Sequence, residues 1–420
     1  VVEQRNSLFE GAFGRFVLPG IIIQSTLIGG GYATGREVVS YGAKFGAMGW
    51  IAGLTIIFGF GLMAFLMFEI ARRFRAYDYR SLVKQFLGPF WFLYDIIYFL
   101  LAILIISIVI AATGSILEST LGLNYWIGVG IIAVLAGILN FYGTSLIERF
   151  KTFGTTALVL AYILFAVLVI SSSWGEITNV FATGNTSFAG DFTVWSIIGA
   201  GIIYVGYNLA VYPAALFTVK RQKSMKDTLI GGAIAGVLMT IPWFLTYFAL
   251  MGFYPNESVL TADVPWLQML DGYGLWIGII FGIVVGWTLI ETATGMIHAF
   301  LDRVNHNLEE IGKEPMSKRT NGLVAIIALV LSAVLSNVGI GGLVSTGYTI
   351  LGYAMLIVYG VPILIIGSYK IIKGVKSEQK LENECMMKIN SFRLACPAVC
   401  LGDIYPGHSC HRSYIICSQP

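Results

Sequence analysis

Ten apolar stretches run through this chain, each close to the length of helix that a lipid bilayer accepts. A helix needs roughly 20 apolar residues to span the hydrocarbon core. The runs are 13–42, 46–70, 91–117, 125–143, 153–172, 194–218, 229–252, 274–300, 321–338 and 344–369. Most are too long and continuous for outer-membrane barrel strands, which alternate over about ten residues. Only 12% of the 420 residues are charged, whereas a soluble domain carries about 25%. That is too little polar surface to hydrate a globule of this size. A net charge of +3 is too small to point to nucleic acid. The reading is an all-α integral membrane protein with about ten transmembrane helices.

Basic residues give the orientation. Arg72, Arg73, Arg75, Arg80 and Lys84 follow the second run, and Lys220, Arg221, Lys223 and Lys226 the sixth. Arg303, Lys313, Lys318 and Arg319 follow the eighth, while Lys370, Lys373 and Lys376 end the tenth. The opposite loops carry Glu118, Glu176, Asp191, Glu257, Asp263 and Asp271, with Arg36 and Lys44 beside the first span. Positive charge collects on the cytoplasmic side, so both termini are expected there. The first run is too long for a cleavable signal peptide, and its span is expected to be retained. Residues 1–376 read as a single transmembrane domain. Cys385, Cys396, Cys400, Cys410 and Cys417 all lie beyond it, near His408 and His411. Their spacing fits no common zinc framework, and cytoplasmic thiols stay reduced. Residues 377–420 are therefore expected to form a disordered cytoplasmic tail, or a stretch foreign to the ancestral protein.

Helix continuity fails in two places. The first is Gln24–Glu37, where Gly29, Gly30 and Gly31 stand together inside an apolar run. Each glycine costs a helix about 1 kcal/mol relative to alanine. Irregular backbone at membrane depth is tolerated only inside protein or beside a wet cavity. A close-packing helix face is the alternative, but it favours small residues three or four apart. The second is Gly199–Pro213, where Pro213 removes a donor and clashes near Leu209. A simple proline kink is the alternative there. The breaks fall in spans one and six, equivalent positions if the chain is two five-helix halves of opposite topology. The repeats would be about 11–172 and 194–370. Paired interrupted helices in inverted repeats point to a central transport site. Substrate is expected between Gly29, Gly30, Gly31, Tyr32 and Thr34 on one side and Tyr204, Gly206, Tyr207 and Asn208 on the other. The amides of Gly30, Gly31 and Tyr32 would face an anionic group such as a carboxylate, and freed carbonyls would suit a hard cation.

The eighth run carries a polar stripe. Thr288, Glu291, Thr292, Gly295 and His298 share one helical face. A carboxylate at this depth costs ~2.5–3.5 kcal/mol on insertion scales. Glu291 is thus a candidate proton carrier, cation neighbour or substrate-amine partner, against a role in tying helices together. His298 reads as solvated, and Lys151 and Asp95 as interfacial. Arg36 and Glu37 could gate the outer side or form an ordinary surface pair.

The wording of the breaks, GGGYATGRE at 29–37 and IYVGYNLAVYPAALF at 203–217, resembles the LeuT fold of the amino acid–polyamine–organocation superfamily. It looks most like YkvI-type bacterial membrane proteins, and the resemblance covers roughly residues 8–376. It implies a cation-coupled secondary transporter in the bacterial inner membrane, carrying a small organic solute such as an amino acid or related amine. It also implies a sodium site of carbonyls near Ile28 and Gly29 with hydroxyls from Thr288 or Thr292. Glu291 departs from that pattern and leaves proton coupling open, although the hydroxyls tip the balance toward sodium. A non-transporting ligand sensor on the same fold is the alternative. No H-E-x-x-H, clustered Asp motif or P-loop occurs, so neither an enzyme nor an ATP-driven pump is expected. Beyond Na+ or H+ no cofactor or metal is implied. The expected partners are the solute and the bilayer, and nothing sets an oligomeric state.

Overall fold

The computed structural model describes residues 11–28, 30–142, 159–310 and 312–374, and every regular element among them is helical. The first apolar run holds α1 (Leu18–Leu27), α2 (Gly30–Thr34) and α3 (Arg36–Tyr41). Next come α4 (Trp50–Phe74), α5 (Tyr79–Leu87), α6 (Phe92–Leu121), α7 (Tyr125–Tyr142), α8 (Val159–Ser172) and α9 (Trp174–Thr183). The second half holds α10 (Val194–Asn208), α11 (Leu216–Val219), α12 (Met225–Met251), the short α13 (Glu257–Leu260) and α14 (Pro265–Leu270). It closes with α15 (Leu275–Glu310), α16 (Lys318–Leu335) and α17 (Ile340–Gly374).

Among the described residues, seven helices are long and apolar enough to cross a membrane, and an eighth if α8 and α9, bent by 69°, make one span. Shorter apolar helices, Phe13–Leu27 and Tyr125–Ile138, occupy the first and fourth runs. Each of the ten runs thus contains described helix, while seven or eight helices reach the length of a span. Phe58, Trp195, Ile283 and Ile357 stand exposed. A continuous apolar exterior of this kind is matched to lipid rather than water. This is a multi-pass membrane protein.

The chain divides into two compact units, Val1–Leu364 and Ile365–Pro420. Of the second, residues 365–374 are described and are helical. The cysteines and the tail expected to be disordered lie outside the described residues, as does Lys151.

Within the first unit the helices pack in two groups. One contains α1, α4, α10 and α12; the other α6, α7, α15 and α16. Small residues set the closest approach in the first group. A Cβ on Gly236 would stand 2.7 Å from the Ile57 carbonyl oxygen, and one on Gly232 would stand 2.7 Å from the Phe65 nitrogen. This is the small-xxx-small packing that lets membrane helices touch through backbone. At one end of the same pair Glu69 is fully buried and ties the two helices. It accepts from Arg72 at 2.7 Å, from Arg73 at 2.5 Å and from the Thr228 hydroxyl at 2.8 Å. The segment α2–α3 lies where both groups can reach it, since α2 packs on α6 and α15, and α3 packs on α10 and α12. α17 packs on α10 and α6.

Candidate functional site

The first break is shorter than three adjacent glycines suggest. α1 stops at Ile28, whose ψ of 72° leaves the helical region while its N–H still reaches the Gln24 carbonyl at 2.9 Å. Gly29 lies outside the described residues. Gly30 and Gly31 are helical, opening α2, which corrects the expectation of an unwound block. Packing of α2 against α6 and α15 offsets the low helix propensity of glycine. A second interruption follows at Gly35, with φ of +82°. A residue with a Cβ rarely adopts that conformation, and here the Cβ would also stand 3.0 Å from the Trp266 ring. Thr34, fully buried, accepts from the Arg36 N–H at 3.2 Å and so helps to start α3.

The sixth run does not open either. α10 continues to Asn208 and then tightens into a 3-10 helix, Leu209–Ala215, which contains Pro213. Without an N–H, proline cannot bond one turn back, and the i→i+3 pattern relieves the ring clash while keeping neighbouring carbonyls paired. Asn208 spends its side-chain N–H₂ on the Tyr204 carbonyl at 2.8 Å. Gly206 faces α17: a Cβ there would sit 2.8 Å from the Gly352 carbonyl oxygen. The missing side chain lets the two backbones approach closely.

Four of these elements converge on Glu37. Tyr207 of α10 donates its hydroxyl to Glu37 Oε2 at 2.8 Å. The Tyr207 ring stacks on Tyr348 of α17, with centroids 4.2 Å apart and planes 10° from parallel. Tyr204 packs edge-on against Tyr207, Tyr41 and Tyr32, at 5.3, 5.9 and 6.1 Å between centroids. The Tyr41 hydroxyl donates to the Val344 carbonyl at 2.9 Å and also meets Thr349. Tyr32 reaches the Met239 carbonyl at 3.4 Å. Glu37 is 5% exposed and is no member of a surface pair. Arg36 points elsewhere, donating to the carbonyls of Leu260 at 2.6 Å and Ala262 at 3.2 Å.

The sequence matches no protein-family model. It is similar to membrane protein YkvI of Bacillus subtilis (strain 168), 23% identical over 338 residues, covering 80% of this chain and 91% of YkvI. Protein YyaD of the same bacterium is 20% identical over 351 residues, covering 81% and 93%. Among solved structures, the chain is similar to a Na+-coupled sialic acid symporter in its substrate-bound outward-open state. The TM-score is 0.55 at 16% identity, over 83% of this chain and 78% of that one. A manganese transporter of Eremococcus coleocola gives 0.53 at 13% identity, over 91% and 88%. The fold is LeuT-like. At such identities the likeness concerns the fold alone.

In this LeuT-like fold the polar stripe of α15 lies on a helix that packs against α2. Thr288 is buried and donates to the Val284 carbonyl at 3.1 Å, and Thr292 donates to the Thr288 carbonyl at 2.8 Å. Both hydroxyl hydrogens are thereby held by their own helix, leaving oxygen lone pairs as the part able to meet a cation. Glu291 is half-buried on the same helix. His298 pairs with Asp302 at 3.1 Å near the exposed end.

Two further clusters of charged and aromatic side chains accompany the break. Arg36, Ser40, Tyr41, Lys44, Phe188 and Thr349 border a cavity of 190 Å³. Burial, and then the neighbouring Arg36 charge, push the Lys44 ammonium below its usual value. In the second cluster Arg303 of α15 lies 3.6 Å over the Tyr98 ring and 4.1 Å over Tyr79, and pairs with Asp95 at 3.3 Å. Asp95 is therefore a structural ion pair rather than a free interfacial group.

Proposed function

We propose that this chain is a cation-coupled secondary transporter of a small organic solute, an amino acid or related amine, working by alternating access. One observation carries the reading: the interrupted first helix and the tightened sixth helix meet at a buried polar cluster reachable from both helix groups. In inverted-repeat transporters, interrupted helices at that position bind the substrate near the bilayer midplane. The solved transporters of similar fold support the same reading. Ile28, where the helical hydrogen bonding ends, and the following Gly29, Gly30, Gly31, Tyr32 and Thr34 are assigned to one side of the proposed site. Tyr204, Gly206, Tyr207 and Asn208 are assigned to the other. Thr288, Thr292 and Glu291 stand on the helix behind α2 as candidates for the coupling ion. The outer cavity carries the positive charges of Arg36 and Lys44, which suits a solute bearing a carboxylate. Both termini are assigned to the cytoplasm, and residues 1–376 to one transmembrane domain.

The test is uptake into proteoliposomes against a panel of amino acids and amines, under an imposed sodium or proton gradient. Accumulation above equilibrium is expected for at least one compound. Saturable binding with no accumulation under either gradient would establish a ligand sensor instead.

A further inference from the structure

Glu37 is a carboxyl group enclosed at the junction of α3, α10 and α17, and the side chains set against it are phenols. Tyr204 and Tyr207 on α10 and Tyr348 on α17 are nearest, while Tyr41 on its own helix, Tyr32 on α2 and Tyr162 on α8 act on it only at longer range. Arg36, its neighbour in sequence, is directed to the Leu260 and Ala262 carbonyls. Lys44 lies in the outer cavity. Among the described residues no Lys, Arg or His pairs with Glu37. Phenols supply hydrogen bonds but no positive charge. An ionised carboxylate without a cationic partner is strongly disfavoured in such a place. The same group bearing a proton is neutral and needs only hydrogen bonds.

Those bonds are provided for both states. Tyr207 donates to Oε2 at 2.8 Å. The Tyr204 hydroxyl, fully buried, faces the same carboxyl and completes no hydrogen bond. A hydroxyl has one donor and two acceptor lone pairs. With a small shift of the side chain it can accept from the acid O–H of a neutral Glu37 or donate to the carboxylate, so one phenol can serve both states. A route to water lies close by. Tyr41, one helical turn along α3, and Thr349, to which it hydrogen-bonds, both border the outer cavity.

We propose that Glu37 is the coupling-proton site of this transporter, loaded from the outer cavity and held neutral between Tyr204 and Tyr207 while the site is closed. The proposal rests on the transporter reading for the word coupling. The protonation itself does not depend on it. In the step, one proton from water joins a Glu37 oxygen, the carboxylate loses its charge, and release to the opposite side reverses the change. Because the cluster joins the interrupted first helix to α10 and α17, the charge of Glu37 biases how these helices meet. Glu291 and the threonines of α15 are then not needed to carry the proton.

Infrared difference spectroscopy of the full chain in lipid, titrated with pH and without solute, tests this directly. A C=O stretch of a protonated carboxyl, lost as pH rises, is expected in the wild type and missing from Glu37→Gln. Tyr204→Phe, which removes the acceptor, is expected to keep that band and shift its frequency. If Glu37→Gln does not fold, that shift in Tyr204→Phe carries the assignment, and an unshifted band there overturns it. A pH-dependent carboxyl signal identical in wild type and Glu37→Gln, or none in either, would overturn the proposal. So would loss of the band on adding sodium at fixed pH, which would make the site a sodium ligand. A Glu37 band in a protein that accumulates no solute would sink the transporter reading and leave the proton site standing.

Discussion

Tyr207 donates to the Glu37 carboxylate oxygen across 2.8 Å while its ring lies flat on Tyr348, 4.2 Å between centroids. One α10 side chain thus binds α3 through its tip and α17 through its face. Tyr207→Phe separates the two roles, since the ring can still stack. Removing one partner of a buried polar group costs about 1–3 kcal/mol, so the thermal midpoint in detergent should fall by a corresponding amount. If the bond also sets the closed state, the initial uptake rate should fall roughly tenfold or more. Tyr207→Ala should lower the midpoint further. A Phe variant with wild-type stability and rate would show that the bond holds nothing in place.

Two glycines of α10 should behave oppositely. At Gly206 a Cβ would sit 2.6 Å from Leu356 Cγ and 2.8 Å from the Gly352 oxygen, whereas at Gly199 it would meet nothing within 4 Å. Gly206→Ala must push α10 from α17, and overpacking of this kind costs typically about 1–3 kcal/mol. Gly199→Ala only removes backbone freedom and should be neutral or stabilise by up to about 1 kcal/mol. Thermal unfolding of both variants in the same detergent measures the contrast.

The helices were legible because apolar length is a local property, and bilayer thickness sets its scale. The places where helices break were also legible, since glycine clusters and Pro213 act through their own backbone. The form of the breaks was not. Gly30 and Gly31 stay helical because α2 has neighbours on α6 and α15, which no local rule supplies. Glu37 escaped for a related reason. Gly35, with φ of +82°, resets the helical phase between Thr34 and Arg36, so the face of Glu37 cannot be counted from the preceding run. Its partners Tyr207 and Tyr348 lie 170 and 311 positions further along the chain. The signal available was the carboxylate itself, five residues before the first run ends at 42.

The packing of α15 on α5 and α6 should depend on Arg303. Its guanidinium covers the Tyr98 and Tyr79 rings and pairs with Asp95. A desolvated cation–π contact is worth about 2 kcal/mol. Arg303→Ala should loosen α15 from α5 and α6, and a cysteine at Asn305, which borders the adjoining cavity, should then react faster with a thiol reagent. Arg303→Lys keeps the charge but loses the planar stack, and should lie between. Equal reaction rates in all three backgrounds would exclude that role.

Orientation can be settled with two cysteines, after replacing the five native ones of residues 385–417 by serine. Lys226 is exposed at the start of α12, in the loop with Lys220, Arg221 and Lys223. Glu257 is exposed at the start of α13, on the loop that also carries Asp263. Positive residues are retained on the cytoplasmic side, and acidic ones have little say in orientation. In intact cells Lys226→Cys should therefore be labelled by a membrane-permeant maleimide and spared by an impermeant one. Glu257→Cys should react with both. Neither substitution touches a helix cap, since α12 is capped by Ser224 and α13 by Asn256, so both variants should fold. Impermeant labelling at Lys226→Cys with protection at Glu257→Cys would invert the topology. It would also place Arg36, Lys44 and the cavity they border on the cytoplasmic side.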